Sequence, residues 1–207
     1  MRTKNRIRGF WLAGITLMVL SCSPLGIGVS QQPKYYMLSS LYARDSTIAP
    51  LAKLNSVGIG VGPVRFPRHL DRKEIVTRTS ENEIMIDDFA LWAGPLSENF
   101  NSVLAENLSV LLATNQVVIF PWRSQYPIKY QVIVHVTRFD GQLGKEAWLR
   151  ARWAVLDEGS KKILYQDQSI IRQAAASASM EAMVAAKSST IVELSREIAR
   201  VIAGLEK

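Results

Sequence analysis

Apolar and polar positions along the chain alternate with a period of two in some stretches and of three to four in others, and these periods mark out its elements. Tyr35-Tyr-Met-Leu38 has the composition of a short strand, whereas Ser39 to Asn55 has too little periodicity to place. From Val57 to Val64 the period is two, with Val57, Ile59 and Val61 on one face and Gly58, Gly60 and Gly62 on the other. A phosphate loop does not fit, because its third glycine would stand where Pro63 does and a helix would have to follow. Glycines along one face of a strand predict instead that a helix packs closely there.

After the polar turn His69-Leu-Asp-Arg-Lys73, Ile75–Thr79 and Glu83–Asp87 predict a hairpin. Gly94-Pro95 then opens a helix, with Pro95 expected at its first helical position. Leu96, Phe100, Val103, Leu104, Leu108, Leu111 and Leu112 follow as an apolar stripe, until Thr114-Asn115 closes it. Val117–Phe120 is a strand ended by Pro121. Tyr130–Phe139, the run holding Leu149, Ala151, Trp153 and Val155, and Ile163–Ile171 predict an antiparallel meander. From Ser177 onward Met180, Val184, Ile191, Leu194, Ile198, Val201 and Leu205 describe a terminal amphipathic helix. The charges between them are mixed in sign, which favours packing on a sheet over lying on a membrane. The expected fold is α+β, a mixed and largely antiparallel sheet packed with two long helices in one domain over residues 35–207.

The N-terminal stretch changes the picture. Arg2, Lys4, Arg6 and Arg8 precede the 11-residue apolar run Phe10–Leu20, the make-up of a secretory signal peptide. The run falls well short of the roughly 20 residues a membrane-spanning helix needs. Val19-Leu-Ser-Cys22 resembles a lipobox, in which the cysteine sulfur accepts a diacylglyceryl group and a small preceding residue admits the lipoprotein signal peptidase. Residues 1–21 are then the signal peptide, Cys22 the lipidated first residue, and residues 22–34 a short tether rich in small residues and proline. Cleavage by the ordinary peptidase, or an inconsequential buried cysteine, are the alternatives. Ser23 is not the aspartate that retains many lipoproteins at the inner membrane, so the expected location is the outer membrane, facing the periplasm.

Charge adds little once the signal is removed. The formal +7 becomes +3, because four of the 25 basic residues precede Cys22 and none of the 18 acidic ones does. That leaves no argument for nucleic acid as a partner. Cys22 is the only cysteine, which excludes an intramolecular disulfide and a cysteine-rich zinc motif. No catalytic residue, metal or cofactor is expected. His69 falls in a turn and His135 inside a strand, no G-x-S-x-G elbow occurs, and Asp87-Asp88 reads as a solvated loop. Trp148, Arg150 and Arg152 share one face of a strand, which reads either as an ordinary exposed face or as a candidate for contact with an anionic headgroup, a polymer or a partner.

Several segments together resemble the ABC-type transport auxiliary lipoproteins, the PqiC/YmbA-type group that accompanies transport systems with mammalian-cell-entry (MCE) proteins. The resemblance rests on Pro67-Arg-His-Leu-Asp-Arg72, on Ile75-Val76, and on Leu91-Trp-Ala-Gly-Pro-Leu96 leading to Asn99, Val103-Leu104 and Asn107-Leu108. Tyr36-x-Leu38 and Leu149-x-Ala151-x-Trp153 add weaker echoes. The family pattern has an aromatic residue where His69 stands and an acidic one near Gly94, so local partner contacts can differ. The resemblance implies an outer-membrane accessory of intermembrane lipid transport that docks on an MCE-domain protein anchored in the inner membrane. Association of identical copies is left open. Pro67, Leu70, Asp71, Arg72, Trp92 and Pro95 are expected to shape a turn and begin a helix rather than to touch lipid. A periplasmic lipid- or cell-wall-binding module without a transport complex is the main alternative, and an envelope hydrolase a more distant one.

Overall fold

The periodic stretches all become elements in the computed structural model, which describes residues 31–44, 48–123 and 125–206. The expected signal peptide, Cys22 and most of the tether lie outside the described residues. Residues 32–207 form one compact unit. In chain order its elements are β1 (Lys34–Tyr36), α1 (Leu41–Arg44), β2 (Gly58–Arg65), β3 (Glu74–Arg78), β4 (Ile84–Trp92), α2 (Leu96–Leu112), β5 (Val117–Ile119), β6 (Ile128–Gln142), β7 (Glu146–Asp157), β8 (Ile163–Ala174) and α3 (Met180–Leu205).

The α+β class and the two long helices are as expected, but the strands divide over two sheets. One has the order β1-β4-β3 and the other β5-β2-β6-β7-β8. The β3–β4 hairpin pairs Val76 with Ile86, and β4 runs on past Asp87 to Trp92 because β1 pairs with its far end, Tyr36 opposite Trp92. Asp87 and Asp88 therefore lie within a strand and not in a loop. The meander β6-β7-β8 is antiparallel, whereas β5 and β6 both run parallel to β2 on its two sides.

That arrangement explains the glycine face differently from the sequence reading. To pass from one edge of β2 to the other, the connection between β5 and β6 must cross over β2, and the glycines make room for this crossing instead of for a helix. A Cβ on Gly58 would stand 2.0 Å from the Pro127 carbonyl oxygen, and one on Gly60 2.7 Å from the Trp122 ring. Only Gly62 approaches a helix, at Asn101 of α2, and its φ of +114° is itself one that favours glycine. Gly58→Ala is expected to cost at least about 1–3 kcal/mol, the range for overpacking, since its obstacle is backbone. Urea unfolding checks this, and an unchanged midpoint would contradict the crossing.

Pro95 precedes α2 rather than entering it. Its ψ of 127° is extended, and its carbonyl accepts the first helical bond, from Asn99 N–H at 3.0 Å. The helix ends at Ala113 in the left-handed region, where Thr114 N–H bonds Ser109 O at 3.1 Å. α3 starts at Ser179, whose hydroxyl accepts from Ala182 N–H at 3.1 Å.

The apolar stripe of α3 packs on the inner face of β6, β7 and β8, and α2 packs beside it against β2 and β5. At the centre Phe66, Phe100 and Phe139 meet edge to face, with centroids 5.3 to 6.0 Å apart. Lys187 of α3, only 1 % exposed, reaches between the sheets and donates to Val76 O of β3 at 3.1 Å and Phe139 O of β6 at 3.3 Å.

Candidate functional site

The two segments that carry the family pattern meet at the start of α2. Pro67 O accepts from Leu70 N–H and Asp71 N–H at 2.9 and 3.1 Å, which closes a tight turn and buries Leu70. Arg72 Nε donates to Glu74 Oε2 at 2.7 Å, and this bond is the first cause holding the Glu74 carboxyl below its usual range. Lys73 O accepts from Trp92 N–H at 2.7 Å. Trp92 is buried at the end of β4, its ring 5.6 Å from Lys187 Nζ. Asp71, Arg72, Lys73, Trp92, Gly94 and Pro95 border a cleft of about 450 Å³ at the N-terminus of α2.

Asn99 and Asn107, eight residues apart on one side of α2, fix the segment that periodicity left unplaced. Asn99 Oδ1 accepts from Leu38 N–H at 2.8 Å and Asn107 Oδ1 from Leu41 N–H at 2.7 Å. Asn107 Nδ2 donates to Ser195 Oγ of α3 at 3.1 Å, so one buried amide joins three parts of the chain. A polar amide interrupting an apolar helix is the sequence signal for such a tie, since burial without partners costs about 1–3 kcal/mol.

The second candidate is the outer face of β6, β7 and β8, where Trp148, Arg150 and Arg152 come out on one side as expected. Pairing across the strands sets them in rows: His135–Arg152–Gln168, Arg138–Arg150–Ile170, Asp140–Trp148–Arg172 and Gln142–Glu146–Ala174. The guanidinium groups of Arg138 and Arg172 lie 4.1 and 3.5 Å from the Trp148 ring centroid, within the range of cation–π attraction. Trp148 Nε1 donates to Glu146 Oε1 at 2.8 Å. Asp140, buried, receives Arg78 Nε and Arg138 Nε at 2.7 and 2.8 Å. Arg150 and Arg152 are exposed and have no ion pair among the described residues. Beside Arg152 a hollow of about 470 Å³ is bordered by Ile133, His135, Ala154, Gln166, Asp167 and Gln168.

His69 and His135 are both exposed and lie in the turn and strand expected of them. Among the described residues no three His, Cys, Asp or Glu side chains converge to hold a metal ion. This surface presents charged and hydrogen-bonding groups to solvent.

The architecture is thus that of an α+β domain with a buried polar framework and an open cationic face. Crystal structures that share the fold include the following two. One, of an uncharacterised protein, is 22 % identical, covers 83 % of this chain and 99 % of its own, and superposes with a TM-score of 0.66. The other, from Xanthomonas campestris, is 15 % identical, covers 84 % of this chain and 98 % of its own, and also has a TM-score of 0.66. At these identities the likeness concerns the fold. No curated protein matches the chain. The chain belongs to the family of the ABC-type transport auxiliary lipoprotein component, whose model matches residues 36–199. It is therefore an accessory of transport by family, and that family is one of lipoproteins, not of enzymes.

Proposed function

We propose that the protein is the lipid-anchored accessory of an ABC-type system that moves lipids between the two membranes of the envelope. In this reading it stands on the outer membrane, faces the periplasm, docks on an inner-membrane-anchored MCE-domain protein and performs no catalysis itself. The family match over residues 36–199 carries the reading. The lipobox-like Val19-Leu-Ser-Cys22 and the following Ser23 support the anchor and its address. Among the described residues no helix is long and apolar enough to cross a membrane. In this reading the lipid on Cys22 attaches the protein. Association of identical copies fits this role as well.

Gentle crosslinking in cells, followed by purification of the full chain in detergent, is expected to recover an MCE-domain protein. Recovery of none would refute the docking. Cys22→Ala is expected to leave the domain folded and to remove it from the outer-membrane fraction, because acyl chains supply the binding energy. A variant that still fractionated there would contradict the anchor. The exposed Arg150 and Arg152 also favour a second reading, in which the domain itself carries a lipid or cell-wall polymer. Native mass spectrometry would reveal such a ligand, and a clean apo spectrum counts against it.

A further inference from the structure

We infer that the outer face of β6, β7 and β8 is a docking surface for phosphate-bearing anionic lipid headgroups, on which the anchored domain lies against the membrane. The inference rests on the proposed membrane anchor and adds which face meets the bilayer and by what chemistry. Arg78, Arg138, Arg150, Arg152 and Arg172 gather there against the carboxylates of Asp140 and Glu146. Asp140 is engaged by Arg78 and Arg138, and Glu146 by the Trp148 indole N–H with Arg172 at 3.9 Å. Asp167, which also borders the hollow beside Arg152, accepts from the Tyr165 hydroxyl at 3.2 Å and from Gln168 N–H at 2.7 Å.

Arg150 and Arg152, two residues apart on one strand, are left pointing to solvent on the same side with their charges unbalanced. An anion is the complement that this face lacks. Guanidinium forks match the oxygens of a phosphate, and the flanking His135, Gln166 and Gln168 add hydrogen-bonding groups around the open hollow.

The neighbouring apolar surface distinguishes a membrane from an acidic peptide. Ile170 sits in the same row as Arg150 and is 51 % exposed, and the half-buried Trp148 holds the Arg138 and Arg172 guanidinium groups against its ring. A bilayer interface takes basic, aromatic and aliphatic groups together, while an acidic peptide would answer only the charge. The 12 residues from Ser23 to Lys34 span at most about 40 Å, which keeps the anchored domain near the membrane surface.

The test is arginine modification by phenylglyoxal, read residue by residue by mass spectrometry, on the full chain reconstituted in phosphatidylcholine vesicles with and without phosphatidylglycerol. Phosphatidylglycerol is expected to slow modification of Arg150 and Arg152 about 30-fold, the factor that two basic groups gain at an anionic surface. Arg68, exposed in the turn before β3, is expected to react equally in both. Salt at about 1 M, where the screening length falls to about 3 Å, should abolish the protection. Equal rates at Arg150 and Arg152 in the two vesicle types would overturn the inference. So would equal protection by inorganic phosphate in plain phosphatidylcholine vesicles, which would mark a small-anion site, or protection only when an MCE-domain protein is added. Flotation with phosphatidylcholine vesicles tests the anchor separately. A chain that fails to float contradicts the anchor while the arginine rates still report on the face.

Discussion

Trp92→Ala is expected to lower the stability of the folded domain by about 3–5 kcal/mol, the cost of truncating a large buried aromatic side chain. Trp92 is 4 % exposed although it borders the cleft at the start of α2. Its ring faces the Lys187 ammonium, and its N–H ties β4 to Lys73 directly after the Pro67–Arg72 turn. Truncation therefore opens a cavity and also removes an aromatic neighbour from a buried cation. Urea unfolding measures the loss. Under conditions where the variant stays folded, association with a transport partner should be unchanged. A loss below about 1 kcal/mol, small for such a truncation, together with loss of the partner would instead make Trp92 a contact residue.

Lys187 is expected to contribute stability that rises as the pH goes from about 8 to 10.5, a contribution that Lys187→Met should lack. Burial pushes the Lys187 amine down from 10.5 to about 8, and the charge of Asp140 opposes this only in part. Below pH 8 the amine is protonated in both states, and the folded protein bears the full desolvation cost of a buried charge. Between the two values the folded state releases a proton that the unfolded state keeps, so folding is favoured as the pH increases. The span corresponds to about 3 kcal/mol, with one unit of pKa worth about 1.4 kcal/mol. The raised pKa values of Lys129, Tyr130 and Tyr165 act in the opposite direction, and the difference between the wild type and Lys187→Met isolates this group. Parallel profiles for the two proteins from pH 8 to 10 would contradict the assignment.

The elements were legible in the sequence wherever one period ran unbroken. The stripe of α2, the alternation in β7 and the meander needed only the spacing of apolar residues. The sequence reading counted Lys187 among the charges between the apolar positions of α3, whereas the structure buries it. It falls between Met180, Val184, Ile191 and Leu194 at helical spacing, which places it on the buried stripe despite its charge. The division into two sheets was not legible, because pairing partners depend on long-range contacts that alternation does not encode.

The cationic face was legible only in part, for a definite reason. Trp148, Arg150 and Arg152 share the period of β7, but Arg138 would fall on the inner face if the alternation of Val132, Val134 and Val136 continued. An irregularity between Val136 and Arg138 shifts the pairing by one residue, turning Arg138 outward and Phe139 into the core. Arg172 lies opposite Trp148 through the register of β8, which no local pattern specifies. Along α2, Asn99 and Asn107 belong to the family pattern, but their roles depended on a segment with no periodicity of its own.

The most direct measurement of the proposed role is transfer of a labelled phospholipid between two vesicle populations. One carries the inner-membrane ABC transporter with its MCE-domain protein, and the other carries the full-length, lipidated chain. ATP-dependent transfer is expected to be faster when the lipidated chain is present, and Cys22→Ala protein added in solution should not restore it. Equal transfer with and without the chain would contradict its role as an accessory of lipid transport.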